Sequence, residues 1–474
     1  MKNRRWIEVF SGGVLLSLAG VAAAADATAT DVSAELAKLR AEVAELRGQQ
    51  GQTWLNERRA EEVKALVREV LADADTRASL QDKSVTAGHN GKNFFLASED
   101  GNFLLNIGGQ VQARYIFNSR DTKGVSGQDD TETGFQMRRV KLQFDGHIGT
   151  PKFEYKLVLA ADRKTTEIDV EEAEIGYKIL DNLTVGGGRF KDAFLREDIV
   201  SSRRQLAVER SVVNEAFSTR YVEGIKADWK PLEQLRVRAS FNDGARSGQP
   251  GLSGNGNASN DFDEDRTDYA LTGRVDFNAL GDWNQADDFS SWEGTPTSLI
   301  LGAAIHYEKG ESGEHPANGS SSTTQFGQYD SFITATADAS FKTAGFAFYG
   351  AGIYQTVDTA DGTSTGNLEN WAAIAQVAYF VIPDKLEPYV RYEYIGADTA
   401  VSGESSQVHI LTFGANYYFK KHAAKFTTDV VWAINPLTAG NTINGVSGGQ
   451  GLLADTSANN DNQVALRAQF QLLF

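Results

Sequence analysis

From Phe94 to its last residue the chain alternates apolar and polar side chains with a period of two. Residues 102–118 are the clearest stretch. Phe103, Leu105, Ile107, Val111, Ala113, Tyr115 and Phe117 share one face there, and Asn106, Gln110, Gln112 and Arg114 share the other. Successive side chains of a strand point to opposite sides, so a face this apolar must meet a core or lipid. Comparable segments follow at 134–148, 152–162, 168–180, 183–190, 219–230, 233–242, 267–278 and 298–308. More lie at 329–341, 344–357, 370–382, 385–396, 406–420, 423–435 and 462–474, which makes sixteen in all. An even number of antiparallel strands can close into a cylinder.

The connections sharpen that reading. Those after odd-numbered strands are mostly long: 119–133, 191–218, 243–266, 309–328, 358–369 and 436–461. Those after even-numbered strands are mostly two or three residues, as at Gly149-Thr150-Pro151, Asp181-Asn182, Pro231-Leu232, Pro383-Asp384 and Lys421-His422. Long loops on one rim and tight turns on the other define an all-β transmembrane barrel of the outer-membrane kind. Two connections break the rule. The 163–167 connection is short, and 279–297, with Trp283, Phe289 and Trp292, is long. Either a strand boundary is misplaced at the second or the turn folds over itself. The terminal strand carries Val464, Leu466, Ala468, Phe470, Leu472 and Phe474 on one face. Its aromatic end resembles the signal by which outer-membrane barrels are recognised for insertion.

Composition is consistent with such a barrel. The mean hydropathy of −0.35 looks soluble, but lipid-facing and lumen-facing residues average out in a spanning strand. The net charge is −17, and many of its acidic residues sit in connections (Asp129, Asp130, Glu132, Asp261, Asp263, Glu264, Asp265, Asp287, Asp288, Glu311, Glu314). The charge therefore describes the rims more than the lumen. With no cysteine, disulfides, Cys-based zinc sites and Cys nucleophiles are excluded. The six histidines stand in no visible Ser/His/Asp arrangement, and no metal, cofactor, nucleotide or nucleic-acid motif is recognisable. No catalytic activity is expected. A secreted β-sandwich would alternate similarly but would require neither sixteen strands nor asymmetric rims.

Ahead of the barrel the sequence changes character. Residues 1–25 read as a signal peptide: Lys2, Arg4 and Arg5 are followed by a mostly apolar Ile7–Val21 and an Ala23-x-Ala25 cleavage site. The apolar run is short of the ~20 residues that span a bilayer. From Asp26 to about Asp82, Leu36, Leu39, Val43 and Leu46 and then Val63, Leu66, Val67 and Val70 recur at helical spacing. That pattern predicts a periplasmic helical segment that associates as a coiled coil, or else a solvated helix or linker. Residues 26–92 are assigned to this segment and its linker, with Ser84–Asn93 as a boundary, and 93–474 to the barrel.

The connection 191–218 is not a solvent loop. It holds Phe194, Leu195, Ile199, Val200, Leu206, Val208, Val212, Val213 and Phe217 among five basic and five acidic residues. A long connection with apolar anchors folds against something, and the mouth of the barrel is what it can narrow. With the apolar side of each strand facing out, alternation points Arg114, Arg139, Lys141, Lys156, Lys178, Arg236, Arg238, Arg274, Arg391, Lys425 and Arg467 inward. Asp145, Glu154, Glu172, Glu174, Asp276, Glu393 and Asp429 go with them. Arg236 and Arg238, two apart on one wall, offer forks of donors to a passing oxyanion. Alternatively, the arginines pair with these carboxylates and only keep the lumen wet. Arg138 falls on the lipid phase. It sits near a rim, faces a neighbouring subunit, or follows a bulge that resets the phase. Glu209 is read as a salt-bridge partner that holds the loop.

Five stretches, GFQMRRVKLQFDG (134–146), EEAEIGYKI (171–179), the segment from Gly186 to Phe217, LEPYVRYEYIG (386–396) and LTFGANYYF (411–419), together resemble the phosphate-selective porin O and P family. The resemblance implies a sixteen-stranded homotrimeric pore in the outer membrane of a Gram-negative bacterium, in contact with lipid and lipopolysaccharide. Its constriction loop would follow the fifth strand, and small anions such as phosphate would pass by diffusion. Arg138 and Arg139 match the family's paired arginines, and Lys191, Ser201, Ser202, Arg203, Arg204 and Arg210 fall in the matching loop. The alternative is a general porin that also tethers the outer membrane through its N-terminal helices.

Overall fold

A computed structural model of the chain describes residues 35–45, 64–65, 68, 85–120, 130–161, 167–245, 267–310, 329–359, 367–397, 406–435, 450–453 and 462–474. The chain divides into two units, Met1–Ser84 and Val85–Phe474. In the first, residues 35–45 form a helix on which Leu36, Leu39 and Val43 are exposed. The expected signal peptide, and most of the second half of the helical segment, lie outside the described residues.

The second unit is a barrel preceded by a hairpin. Within the 84–93 stretch lies β1 (Val85–His89), which pairs with β2 (Phe94–Ser98). The barrel begins with β3 (Leu104–Arg120), β4 (Thr131–His147), β5 (Phe153–Ala161), β6 (Ile168–Leu180), β7 (Leu183–Lys191), β8 (Tyr221–Leu232) and β9 (Leu235–Asn242). It continues with β10 (Thr267–Leu280), β11 (Ser298–Gly310), β12 (Tyr329–Thr343), β13 (Phe346–Thr359) and β14 (Leu368–Tyr379). The last four are β15 (Leu386–Ala397), β16 (Ser406–Lys420), β17 (Ala424–Ala433) and β18 (Gln463–Leu473). Each pairs antiparallel with the next, and β18 returns to β3, from Gln463↔Arg120 to Leu473↔Gln110. Sixteen strands thus close, as the alternation requires. Below Gln110, β2 takes over the same side of β3, from Phe94↔Ile107 to Ala97↔Leu104. Two strands set end to end leave little bare edge.

The tight turns follow from local chemistry. Between β12 and β13, Ala344 and Gly345 both have positive φ (46° and 84°), the geometry of a two-residue turn whose twist matches a hairpin. The long connection after β10 is a true departure from the short-turn rim. It forms a short 3₁₀ segment, Trp283–Asp287, and then turns into the barrel. There Phe289 packs at a tilt against Tyr349, and Trp292 packs against Phe380, Tyr418 and His422. Two of the register slips in the wall bear on the lumen. The β3–β4 register slips between Gln112 and Ala113, which leaves Arg138 as a bulge; the β5–β6 register slips at Val158/Leu159 and does the same for Glu171. A bulge resets the alternation.

The wall has two characters. Along β14 every other residue is buried, while Trp371, Val377 and Tyr379 face outward and exposed. Along β4 the inward positions are only part-buried. The reason is what fills the cylinder. The 191–218 segment lies against the inner face of β13–β18, and its apolar side chains form the main core. Among the described residues no helix is long and apolar enough to cross a membrane; the strands do the spanning.

Candidate functional site: the constriction

The loop after β7 is tied down along its whole length. At its start, Asp192 accepts hydrogen bonds from Ser240 Oγ (2.8 Å) and Thr272 Oγ1 (2.6 Å) on the wall. Phe194 and Leu195 then enter a core with Ile353, Ile395, Ile410 and Val431, which point inward from the strands. Each fully buried aliphatic or aromatic side chain contributes about 1.5–3 kcal/mol relative to solvent. A short helix, α1 (Arg196–Ile199), follows. Glu197 accepts from Ser211 N at 2.9 Å and from its hydroxyl. Arg210 reaches back to the carbonyls of Glu197, Asp198 and Val200 at 2.9–3.2 Å. It therefore closes the loop on itself. The second helix, α2 (Val212–Phe217), is capped by Ser211, which accepts from Asn214 N.

Polar side chains on the wall complete the attachment, because a buried carbonyl needs a donor. Lys425 Nζ donates to Gln205 O (2.7 Å), Asn416 Nδ2 to Leu206 O (3.0 Å) and Arg391 to Glu209 O (2.9 Å). Asp429 accepts from Val208 N (3.1 Å) and is held by Arg467 (2.7 and 2.8 Å). Much of the inward charge on this side therefore supports the loop.

Opposite lies the remaining passage. Glu209 leaves the loop toward β3 and β4 and receives Arg138 Nε at 2.6 Å, Arg114 at 3.4 Å and a shorter contact from Arg139. Burial alone would push the Glu209 carboxyl up. Arg138, Arg139 and Arg114 outweigh it and hold the group well below the usual carboxylate range. Toward the tight-turn rim from this cluster is a narrow cavity of about 180 Å³. Lys141, Lys156, Lys191, Arg203 and Arg238 line it, with Ser201, Ser202 and Tyr221. Three of these cations are matched: Lys141 by Glu171, Lys156 by Glu172, and Arg238 by Asp276 at 2.5 Å. Lys191 lies 5.4 Å over the Tyr221 ring. Among the described residues, neither Lys191 nor Arg203 has an ion pair. The passage then widens to a cavity of about 1310 Å³ bordered by Lys226, Asp228, Arg204, Asp287 and Trp292.

The structure separates all of the sequence-predicted residues but Arg204 and Arg236 into three sets. Lys141, Lys191, Arg203 and Arg238 meet at the narrow cavity. Arg114, Arg138 and Arg139 converge on Glu209, and Arg138 does so because the bulge turns it from the lipid phase. Arg210, Arg274 and Arg391 are buried between loop and wall; Arg274 is held by Asp276, Asp338 and Phe194 O, and Arg391 by Glu393. Arg204 stands 3.7 Å from Asp287 on the inturned connection. Arg236 is capped by Asp228 and Arg238 by Asp276, so the two do not present a bare pair. Sequence reasoning missed Glu171 and Tyr221, whose hydroxyl donates to that carboxylate, and the intrusion of residues 281–297.

A closed barrel with an inward-folded loop and a charged constriction is the architecture of an outer-membrane diffusion channel, a channel rather than an enzyme. A profile of the family "phosphate-selective porin O and P" matches residues 105–442. The chain belongs to this family, and it is an outer-membrane porin of a Gram-negative bacterium. Among solved structures it is similar to the Salmonella typhi OmpF complex with daunomycin, at 12% identity, covering 82% of this chain and 100% of that one, with a TM-score of 0.51. It is also similar to an anion-selective porin from Comamonas acidovorans (12% identity, 78% and 99% covered, TM-score 0.49). The outer membrane channel DcaP of Acinetobacter baumannii is a further neighbour (14%, 79% and 99%, 0.48). Identities this low speak to the fold alone. No curated protein matches the chain.

Proposed function

We propose that this porin prefers small anions, with phosphate-like oxyanions the favoured class, and that the preference is set at the narrow cavity. The observation that carries this reading is that Lys191 and Arg203 have no ion pair among the described residues and stand beside the Ser201 and Ser202 hydroxyls in a space of about 180 Å³. An oxyanion there would meet two charges not already spent on carboxylates, together with donors suited to its oxygens. Lys141, Lys156 and Arg238 keep the surroundings cationic, although each has a carboxylate beside it. Arg204 borders the wider approach, and Arg236 is paired with Asp228, which also borders it.

The rest of the organisation follows the same reading. Residues 1–25 direct export, the segment from 26 precedes the barrel on the periplasmic side, and its apolar stripe of Leu36, Leu39 and Val43 joins copies of the chain as a coiled coil. The barrels associate as a homotrimer, with lipid and lipopolysaccharide around the exposed apolar belt. The test is planar-bilayer conductance with reversal potentials in a potassium chloride gradient, repeated with phosphate added. The wild-type pore is expected to prefer chloride and to be blocked by phosphate, and Lys191→Gln with Arg203→Gln to lose both properties. A cation preference in the wild type would overturn the proposal.

A further inference from the structure

The geometry around Glu209 exceeds what fastening a loop requires. Three guanidiniums, those of Arg114, Arg138 and Arg139, converge on its one carboxylate. Two of them are oriented by neutral acceptors: Gln136 Oε1 takes Arg114 Nε and NH2 at 3.0 and 2.8 Å, and Gln112 Oε1 takes Arg139 NH1 at 3.0 Å. The forks are aimed without spending a second acidic group, so the cluster keeps two positive charges in excess. Glu209 and Arg114 are sealed, at 1% and 0% side-chain exposure, whereas Arg138 and Arg139 stay open at 18% and 10%. A planar carboxylate against paired guanidiniums is also the arrangement in which a free carboxylate or phosphate is recognised. Nothing in that chemistry requires the anion to be attached to the chain.

We propose that Glu209 is a tethered counterion: its carboxylate fills, from within the chain, an oxyanion pocket made by Arg114, Arg138 and Arg139, and so limits how strongly the pore attracts anions ahead of the narrow cavity. It is a positioning residue for the arginine cluster. The inference rests on the anion-path reading above and adds a second site to it. The site is occupied in the native chain and becomes available to a small monovalent carboxylate when Glu209 is removed.

The experiment compares wild type, Glu209→Ala and Glu209→Gln as full-chain barrels in planar bilayers, with sodium acetate as the probe. Both variants are expected to move the reversal potential toward the anion limit. In Glu209→Ala, millimolar acetate should return it saturably toward the wild-type value, whereas wild type should respond to acetate only as to ionic strength. An unchanged reversal potential in both variants, or an acetate response identical in wild type and Glu209→Ala, would overturn the proposal. If neither variant yields a heat-modifiable barrel, Arg138→Gln carries the test. It leaves two arginines on Glu209 and should lower anion preference; no change would count against the idea. The two readings fail separately. A cation-preferring wild type sinks the anion path, while the tether stands if Glu209→Ala still shifts toward anions and acetate reverses the shift.

Discussion

The two sides of this barrel are built from the same alternating strands yet do different work. Along β10–β18 the inward residues are buried, and their charges are consumed in fixed pairs such as Arg467–Asp429 and Arg274–Asp338 or in donors to loop carbonyls. Along β4–β8 most of the inward residues remain part-exposed, and several border the passage. The difference teaches that a charged residue pointing into a barrel is not thereby a pore residue. What decides is whether the constriction loop lies on top of it.

That contrast can be broken most sharply by stability. Arg467→Ala would leave Asp429 buried and uncompensated, a loss of about 3–5 kcal/mol. Lys178→Ala, on the open side, removes a pair with Glu154 that is about two-fifths exposed on both partners, and should cost no more than ~1 kcal/mol. Thermal unfolding in detergent measures both; equal losses would erase the distinction. Next comes Trp292→Ala, which removes ring contacts with Phe380, Tyr418 and His422 worth about 0.5–1.5 kcal/mol each. Freeing the inturned connection should raise single-channel conductance, and an unchanged conductance would mean that residues 281–297 do not limit flow.

A smaller effect separates two neighbours. Arg238→Gln should reduce anion preference more than Arg236→Gln, because only Arg238 lines the narrow cavity; the opposite order in reversal potentials would misplace the constriction. The smallest effect expected is that of pH. The Glu209 carboxyl is depressed in the folded chain, so its contribution is complete above the ordinary carboxyl range and fades only as pH falls through about 4 toward the lower folded value. Selectivity should therefore be flat between roughly pH 7 and 5. A midpoint inside that interval would show that the three arginines do not hold Glu209.

The barrel itself was legible in the sequence, since period-two alternation and asymmetric connection lengths follow directly from strand geometry. The hairpin of β1 and β2 was not: VTAGH and FFLAS are five residues each and carry too little pattern. The fixed side of the lumen was hidden for a different reason. Ile353, Ile395, Ile410 and Val431 point inward, so an apolar residue on those strands does not mark the lipid face. Arg138 was ambiguous because one extra residue reverses facing, and a bulge leaves no mark in composition. The apolar anchors of the 191–218 loop announced that it folds inward. Which wall arginines it would cover depends on strand register and loop path, and neither can be read from spacing.

Because the chain has no cysteine, the division of the lumen can be probed directly with single introduced thiols. Gln143 borders both the narrow and the wide cavity, and Thr427 points inward on the covered side at 1% exposure, bonded to Asn416. An anionic methanethiosulfonate reagent added to folded pores should react with Gln143→Cys and cut its current, and should leave Thr427→Cys untouched. Rapid block at Thr427→Cys with none at Gln143→Cys would place the permeable space on the other side of the barrel.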